Sequence, residues 1–161
     1  MLSVWLPAAS NGQVKVAAVA VTLVLVQSTF CAVMLATMVD GKPVVQGMKL
    51  SAEKCDQVNA IERDKALAWV DRNIKVPLTE PQKAGIASFC PYNIGPRKCF
   101  PSTFYKRINA GDRKGACEAI RWWIKDGGRD CRLTKGQKNG CYGQVERRDQ
   151  ESALACWGID Q

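Results

Sequence analysis

The sequence predicts a mainly α fold: several short helices, preceded by one apolar helix. Three observations carry that prediction. The stretch Val16–Val39, VAAVAVTLVLVQSTFCAVMLATMV, contains no charged side chain. Beyond it, Ser51, Thr79, Ser102 and Asp112 are each of the type that caps a helix start, and no Gly or Pro interrupts the run that follows Ser51. Gly and Pro punctuate the ends of those runs at Pro91, Gly95, Gly111 and Gly127-Gly128.

The apolar stretch comes first in the chain. Its length suffices to cross a hydrocarbon core of about 30 Å as a helix, and a cleavable signal h-region is shorter, at about 7–15 residues. Ala17, Ala18, Thr22, Gln27, Ser28 and Thr29 dilute it. Lys15 precedes it and Asp40 and Lys42 follow, a faint bias toward a cytoplasmic N-terminus with the body outside. A buried pair of Val-rich strands is the alternative reading. Residues 1–12 carry no motif. The domain division expected is therefore an N-terminal segment over 1–39, with the candidate anchor at 16–39, and one domain over 40–161.

In the body, Ser51 caps a helix with Glu53 in its first turn, and no Gly or Pro interrupts the run to about Ile74. Its apolar positions, Val58, Ile61, Leu67, Val70 and Ile74, are scattered round the wheel and define no single buried face. Thr79-Glu80-Pro81-Gln82 has the capping-box pattern with proline in the first turn. That helix is expected to reach about Phe89, where Pro91 should bend or end it. Ser102 opens a short helix ending at Gly111. Asp112 caps the next, with Ala116, Ala119, Ile120 and Trp123 at i, i+3, i+4, i+7 spacing, and Gly127-Gly128 should end it. A last helix runs from about Gln144 to Cys156.

Composition narrows the chemistry. The chain has 161 residues, room for one ordinary domain and a short appendage. A formal charge of +8 favours anionic partners without choosing among them. Histidine is absent, so His-dependent nucleophiles and His-ligated metals are excluded and carboxylates are the expected acid/base groups. No CxxC occurs among the eight cysteines. A disulfide framework in an oxidising compartment is expected, with no metal and no cofactor.

The succession LTEPQKAGIASF–YNIG, STFYKRINAGD, ACEAIRWWIKDGG and VERRDQESALACWG, in that order, resembles the C-terminal lobe of phage-type lysozymes, the T4-like endolysins, and most nearly those exported by an N-terminal signal-anchor. The resemblance covers about Thr37–Gln161. It implies an α+β lysozyme-like fold of which this chain carries the helical lobe, with the small β-lobe largely missing. It also implies muramidase activity: hydrolysis of the peptidoglycan glycan backbone for host cell lysis. The implied setting is an inner-membrane anchor with the domain in the periplasm, tethered or released. A monomer that binds no nucleic acid is expected.

Family members work with a Glu, an Asp and a Thr spaced E-x8-D-x5-T between the anchor and the helical lobe, one carboxyl protonating the leaving oxygen. Here Met38-Val39 passes directly into DGKPVVQGMKLSAEKC, and none of the three can be placed, so the catalytic residues are unknown and the copy is expected to be impaired. Glu62 and Asp71 have the E-x8-D spacing, but Pro77 stands where Thr is needed. Nine residues at about 100° each also set the two on opposite faces of a helix, as solvated charges. Glu151 and Asp160 share the spacing, and Glu118 reads as structural.

The resemblance offers Tyr92, Asn93, Ser102 and Thr103 as substrate-binding residues. Tyr92 and Asn93 fall where the family lines its cleft, yet equally help end a helix; Ser102 and Thr103 also suit a helix cap. Arg147-Arg148 with Glu151 resembles the family's R-R-x-x-E, read as an ion pair holding the last helix. Of Trp122 and Trp123, one is expected in the core, the other at the cleft edge. Cys90 with Cys99, and Cys131 with Cys141, bracket Gly-containing loops and look like closed pairs, although connectivity stays open. The family packing adds Cys117 with Cys156. Cys55 is left as a free thiol or a partner of Cys31. Rival functions are a membrane-tethered, non-catalytic wall-binding remnant, a basic nucleic-acid binder, and an inert product of a rearranged reading frame.

Overall fold

The computed structural model describes residues 38–45 and 48–159. The apolar helix expected over 16–39 lies outside them except for its last two residues. Those form strand β1 (Met38–Val39), paired antiparallel with β2 (Lys42–Pro43). The turn between them places Asp40 at φ 52° and Gly41 at φ 76°, the left-handed pair that a two-residue hairpin requires. No helix among the described residues is long and apolar enough to cross a membrane.

Helix α1 (Ala52–Asn73) starts as expected, with the Ser51 hydroxyl accepting from the Lys54 amide at 3.2 Å. Its buried residues are Val58, Ala66, Trp69 and Val70, while Ile61 is exposed. Helix α2 (Glu80–Ala87) begins at Thr79, whose amide donates to Gln82 Oε1 at 3.0 Å. Gln82 then donates to the Trp157 carbonyl at 2.8 Å, tying the helix start to the chain's end. Pro91 does not end this helix. The chain widens into a π-helical turn, Ser88–Ile94, with Pro91 inside it. Proline lacks an N–H, and the π register absorbs the missing bond without breaking the turn. Gly95, at φ 84°, stops it and opens α3 (Pro96–Cys99), a helix that sequence periodicity did not signal.

Helix α4 (Thr103–Asn109) and helix α5 (Arg113–Arg121) follow, capped by Ser102 and Asp112. Helix α5 ends at Arg121, before Gly127-Gly128. The two glycines instead turn a second hairpin, β3 (Lys125–Asp126) with β4 (Arg129–Asp130), at φ 57° and 83°. After a 3-10 turn over Cys131–Thr134, helix α6 (Tyr142–Ala155) closes the fold, starting two residues earlier than expected.

The core sits among α1, α2, α4, α5 and α6. Phe89 packs edge-on against Phe104 with ring centres 5.2 Å apart, and Val70, Ile86, Ile108 and Ile120 fill in around them. Gly85 sets how closely α2 and α6 approach: a Cβ there would stand 2.6 Å from the Glu151 carbonyl oxygen and 2.8 Å from the Ala155 nitrogen. Three disulfides tie the outer pieces down: Cys90–Cys99, Cys117–Cys156 and Cys131–Cys141. Cys55 is also disulfide-bonded, to none of these six, so it is not a free thiol.

Candidate functional site

Along α1, Glu62, Lys65, Ala66, Trp69 and Arg72 follow at i, i+3, i+4, i+7 and i+10 and so form one stripe. The π turn and the start of α3 face that stripe with Pro91, Tyr92, Asn93, Ile94, Gly95 and Pro96. Between them lies a groove of about 620 Å³. Its second wall is held in place by chemistry behind it. The Cys90–Cys99 bond joins the π turn to α3, and a buried polar network joins the π turn to α6.

Glu151 is the centre of that network and is fully buried. One carboxylate oxygen accepts from the Ser88 hydroxyl at 2.5 Å and from the Asn93 amide at 2.9 Å; the other pairs with Arg148. Asn93 also donates to the Ser88 carbonyl at 2.7 Å and accepts from Arg147 at 2.9 Å. Arg148 reaches the Trp123 carbonyl and lies over the Phe89 ring, 5.4 Å from its centre. Burial pushes the Glu151 carboxyl upward, while Arg148, the Ser88 hydroxyl and Arg147 pull it back. The ion pair read from R-R-x-x-E is thus formed by Arg148. Arg147 acts on Asn93 instead.

Of the four candidate substrate residues, two line the groove. Tyr92 faces it, and its phenol oxygen is buried without a hydrogen-bond partner. Burial raises its pKa, Glu62 raises it further, and Arg147 opposes. Asn93 lines the groove as well, but its amide is fully engaged in the network behind. Ser102 is not part of the groove. It caps α4, accepting from the Tyr105 amide at 3.1 Å and donating to the Cys99 carbonyl at 2.6 Å. Thr103 is exposed on the first turn of that helix. Trp123 packs on Phe89 at 6.1 Å. Trp122 is half exposed beneath Arg107 and lines no part of the groove.

Glu62 corrects the expectation of a solvated charge. Its side chain is 11 % exposed, paired with Lys65 at 3.1 Å on the groove wall. Asp71 lies away from it, open to solvent and paired with Lys83 at 2.8 Å. Glu118 is exposed on α5 and Glu151 is committed to its network; Asp160 lies outside the described residues. Glu62 is therefore the one carboxylate among the described residues that line the groove. Glycoside hydrolysis needs two, flanking the scissile bond. Lys65, Trp69 and Arg72 were missed in the sequence, although their helical spacing with Glu62 was there to be read.

This geometry has counterparts. Residues 16–151 match the phage lysozyme family, a match that begins at Val16 and so takes in the whole apolar segment. Over 126 residues, 78 % of this chain, it is 91 % identical to the SAR-endolysin of Escherichia phage N15, covering 71 % of that protein. Identity is 85 % over 126 residues to a probable prophage lysozyme of Escherichia coli K12, covering 78 % of this chain and 70 % of that one. The endolysin structure from Escherichia coli O157:H7 phage FAHEc1 superposes with a TM-score of 0.57 at 34 % identity, covering 74 % of this chain and 72 % of that one. The chain belongs to the phage lysozyme family.

Proposed function

We propose that this chain is a phage or prophage endolysin of the muramidase class whose helical lobe binds the glycan backbone of peptidoglycan in the groove between α1 and the π turn, with hydrolysis impaired. The names of the relatives, SAR-endolysin and probable prophage lysozyme, support the class. The groove supports the binding: it is walled by Trp69 and Tyr92 and edged by polar groups, the composition that seats a sugar chain. The observation that carries the impairment is the carboxylate count. Glu62 stands alone in the groove, and no E-x8-D-x5-T lies between the apolar stretch and α1.

General acid/base help typically contributes about 10²–10⁴-fold, and loss of the cleft wall that orients substrate adds to the deficit. The full chain, with its cysteines oxidised, should be retained on purified peptidoglycan and clear it no faster than a blank. Clearing at a rate typical of lysozymes would overturn the impairment. Glu62→Gln is then the first variant to make, followed by Glu53→Gln.

The apolar stretch and the SAR-endolysin name together support a tether, an inner-membrane anchor over 16–39 with the domain over 40–161 on the periplasmic side. The six disulfide-bonded cysteines Cys90, Cys99, Cys117, Cys156, Cys131 and Cys141 fit that oxidising side. A membrane-tethered wall binder without catalysis is this reading with the impairment complete, and clearing measurably above the blank would rule it out.

A further inference from the structure

Phe100 is one of few large apolar side chains exposed among the described residues, at 43 %. It is not a loose surface residue. Its amide donates to the Pro96 carbonyl at 3.0 Å, closing α3, and its neighbour Cys99 is bonded to Cys90. The ring is held on two sides, 5.4 Å from Trp69 and 5.3 Å from Tyr105, the latter edge-on. Trp69 and Pro96, which Phe100 adjoins, both line the groove. Arg72 lines it too, three residues after Trp69, and forms no ion pair among the described residues.

A fixed, half-exposed aromatic ring that continues the wall of a groove has one well-matched occupant. The axial C–H bonds of a pyranose form a flat apolar face that covers such a ring, while its hydroxyl and acetamido groups need polar partners at the rim. The aromatic ring supplies contact area at little cost in conformational entropy, and a guanidinium with spare donors supplies the rim. We propose that Phe100, backed by Trp69, with Arg72 on the adjoining groove wall, forms a further glycan subsite next to the groove, stacking one N-acetylhexosamine ring of the strand beyond those the groove itself holds. The subsite rests on the glycan-binding reading above, and it concerns strand length, which that reading leaves open.

The test is calorimetric binding of purified glycan strands of one and of three disaccharide units to the full chain and its variants. The native chain should bind the longer strand more tightly. Phe100→Ala should lose roughly tenfold on the longer strand, the worth of about one stacked ring, and leave the single disaccharide unchanged. Phe100→Tyr should keep the affinity, and Phe100→Leu should lose it while keeping the melting temperature. Equal affinity of Phe100→Leu and the native chain would reduce the ring to an apolar cover and overturn the subsite. So would an equal loss on both strands in Phe100→Ala. In either case the native chain's binding leaves the groove reading standing. Failure of the native chain to bind either strand would end both.

Discussion

Glu151 holds together three groups from two places in the sequence. Ser88 and Asn93 come from the π turn and Arg148 from its own helix, and the carboxylate satisfies all three while fully buried. Truncating one member of such a pair leaves the other charge buried and alone, which typically costs about 3–5 kcal/mol. Glu151→Ala should therefore lower stability by about that much in urea unfolding, and more than Asn93→Ala, which leaves the ion pair intact. Tyr92 gives a spectroscopic check on the groove wall. Burial and Glu62 raise its pKa above the ordinary value of 10.0, so the folded chain favours the neutral phenol more than the unfolded chain does. That preference stabilises the fold in full below pH 10 and is lost as pH rises through the folded-state pKa. In a tyrosinate absorbance titration, Tyr92→Phe should remove a phenol that ionises late. An unchanged titration curve would mean that the Tyr92 oxygen is open to water.

At the scale of elements, the close approach of α2 to α6 depends on one glycine. Gly85→Ala would place a methyl group 2.6–2.8 Å from backbone and Cβ atoms of α6. Backbone cannot step aside as a side chain can, so a loss of about 1–3 kcal/mol is expected. A neutral result would show that the two helices separate freely. The disulfides should rank by the length of chain that each closes. Cys117–Cys156 spans 39 residues and Cys131–Cys141 spans 10. Chain entropy then makes loss of the former the costlier, by about 1 kcal/mol, measured as the difference in melting or urea midpoint between the two double-serine variants. Both loops also serve α6. Cys141 precedes its first residue and Cys156 follows its last, so the helix is fastened at both ends.

For the molecule as a whole, the question is where the body sits. An anchor over 16–39 predicts that the full chain fractionates with inner membrane and resists alkaline extraction, with the body accessible from the periplasmic side. Full recovery in the soluble cytoplasmic fraction with reduced thiols would sink the tether and the oxidising compartment together. The +8 charge offers a different outcome for a different reading: salt-dependent retention on DNA would revive the nucleic-acid binder.

The sequence by itself determined the helix starts, because a cap is a local event. Ser51, Ser102 and Asp112 each bond an amide three residues ahead, and such a bond needs nothing from the rest of the chain. The family was legible for a related reason: its motifs are short, ordered and contiguous. What happens at Pro91 was decided only by the tertiary structure. A proline in a helical run ends it in isolation, but here the π turn is kept by Cys90–Cys99 on one side and by Asn93 and Glu151 on the other. The glycine pair at Gly127-Gly128 likewise reads as a stop, whereas in the fold it turns a hairpin after α5 has already ended. The groove required the most from the third dimension. The face of α1 that carries Glu62, Trp69 and Arg72 is polar and apolar by turns, and periodicity gives it no direction. It became a wall because the π turn, from a separate stretch of the chain, packs against it, and contacts of that kind are set by the core, not by local propensity.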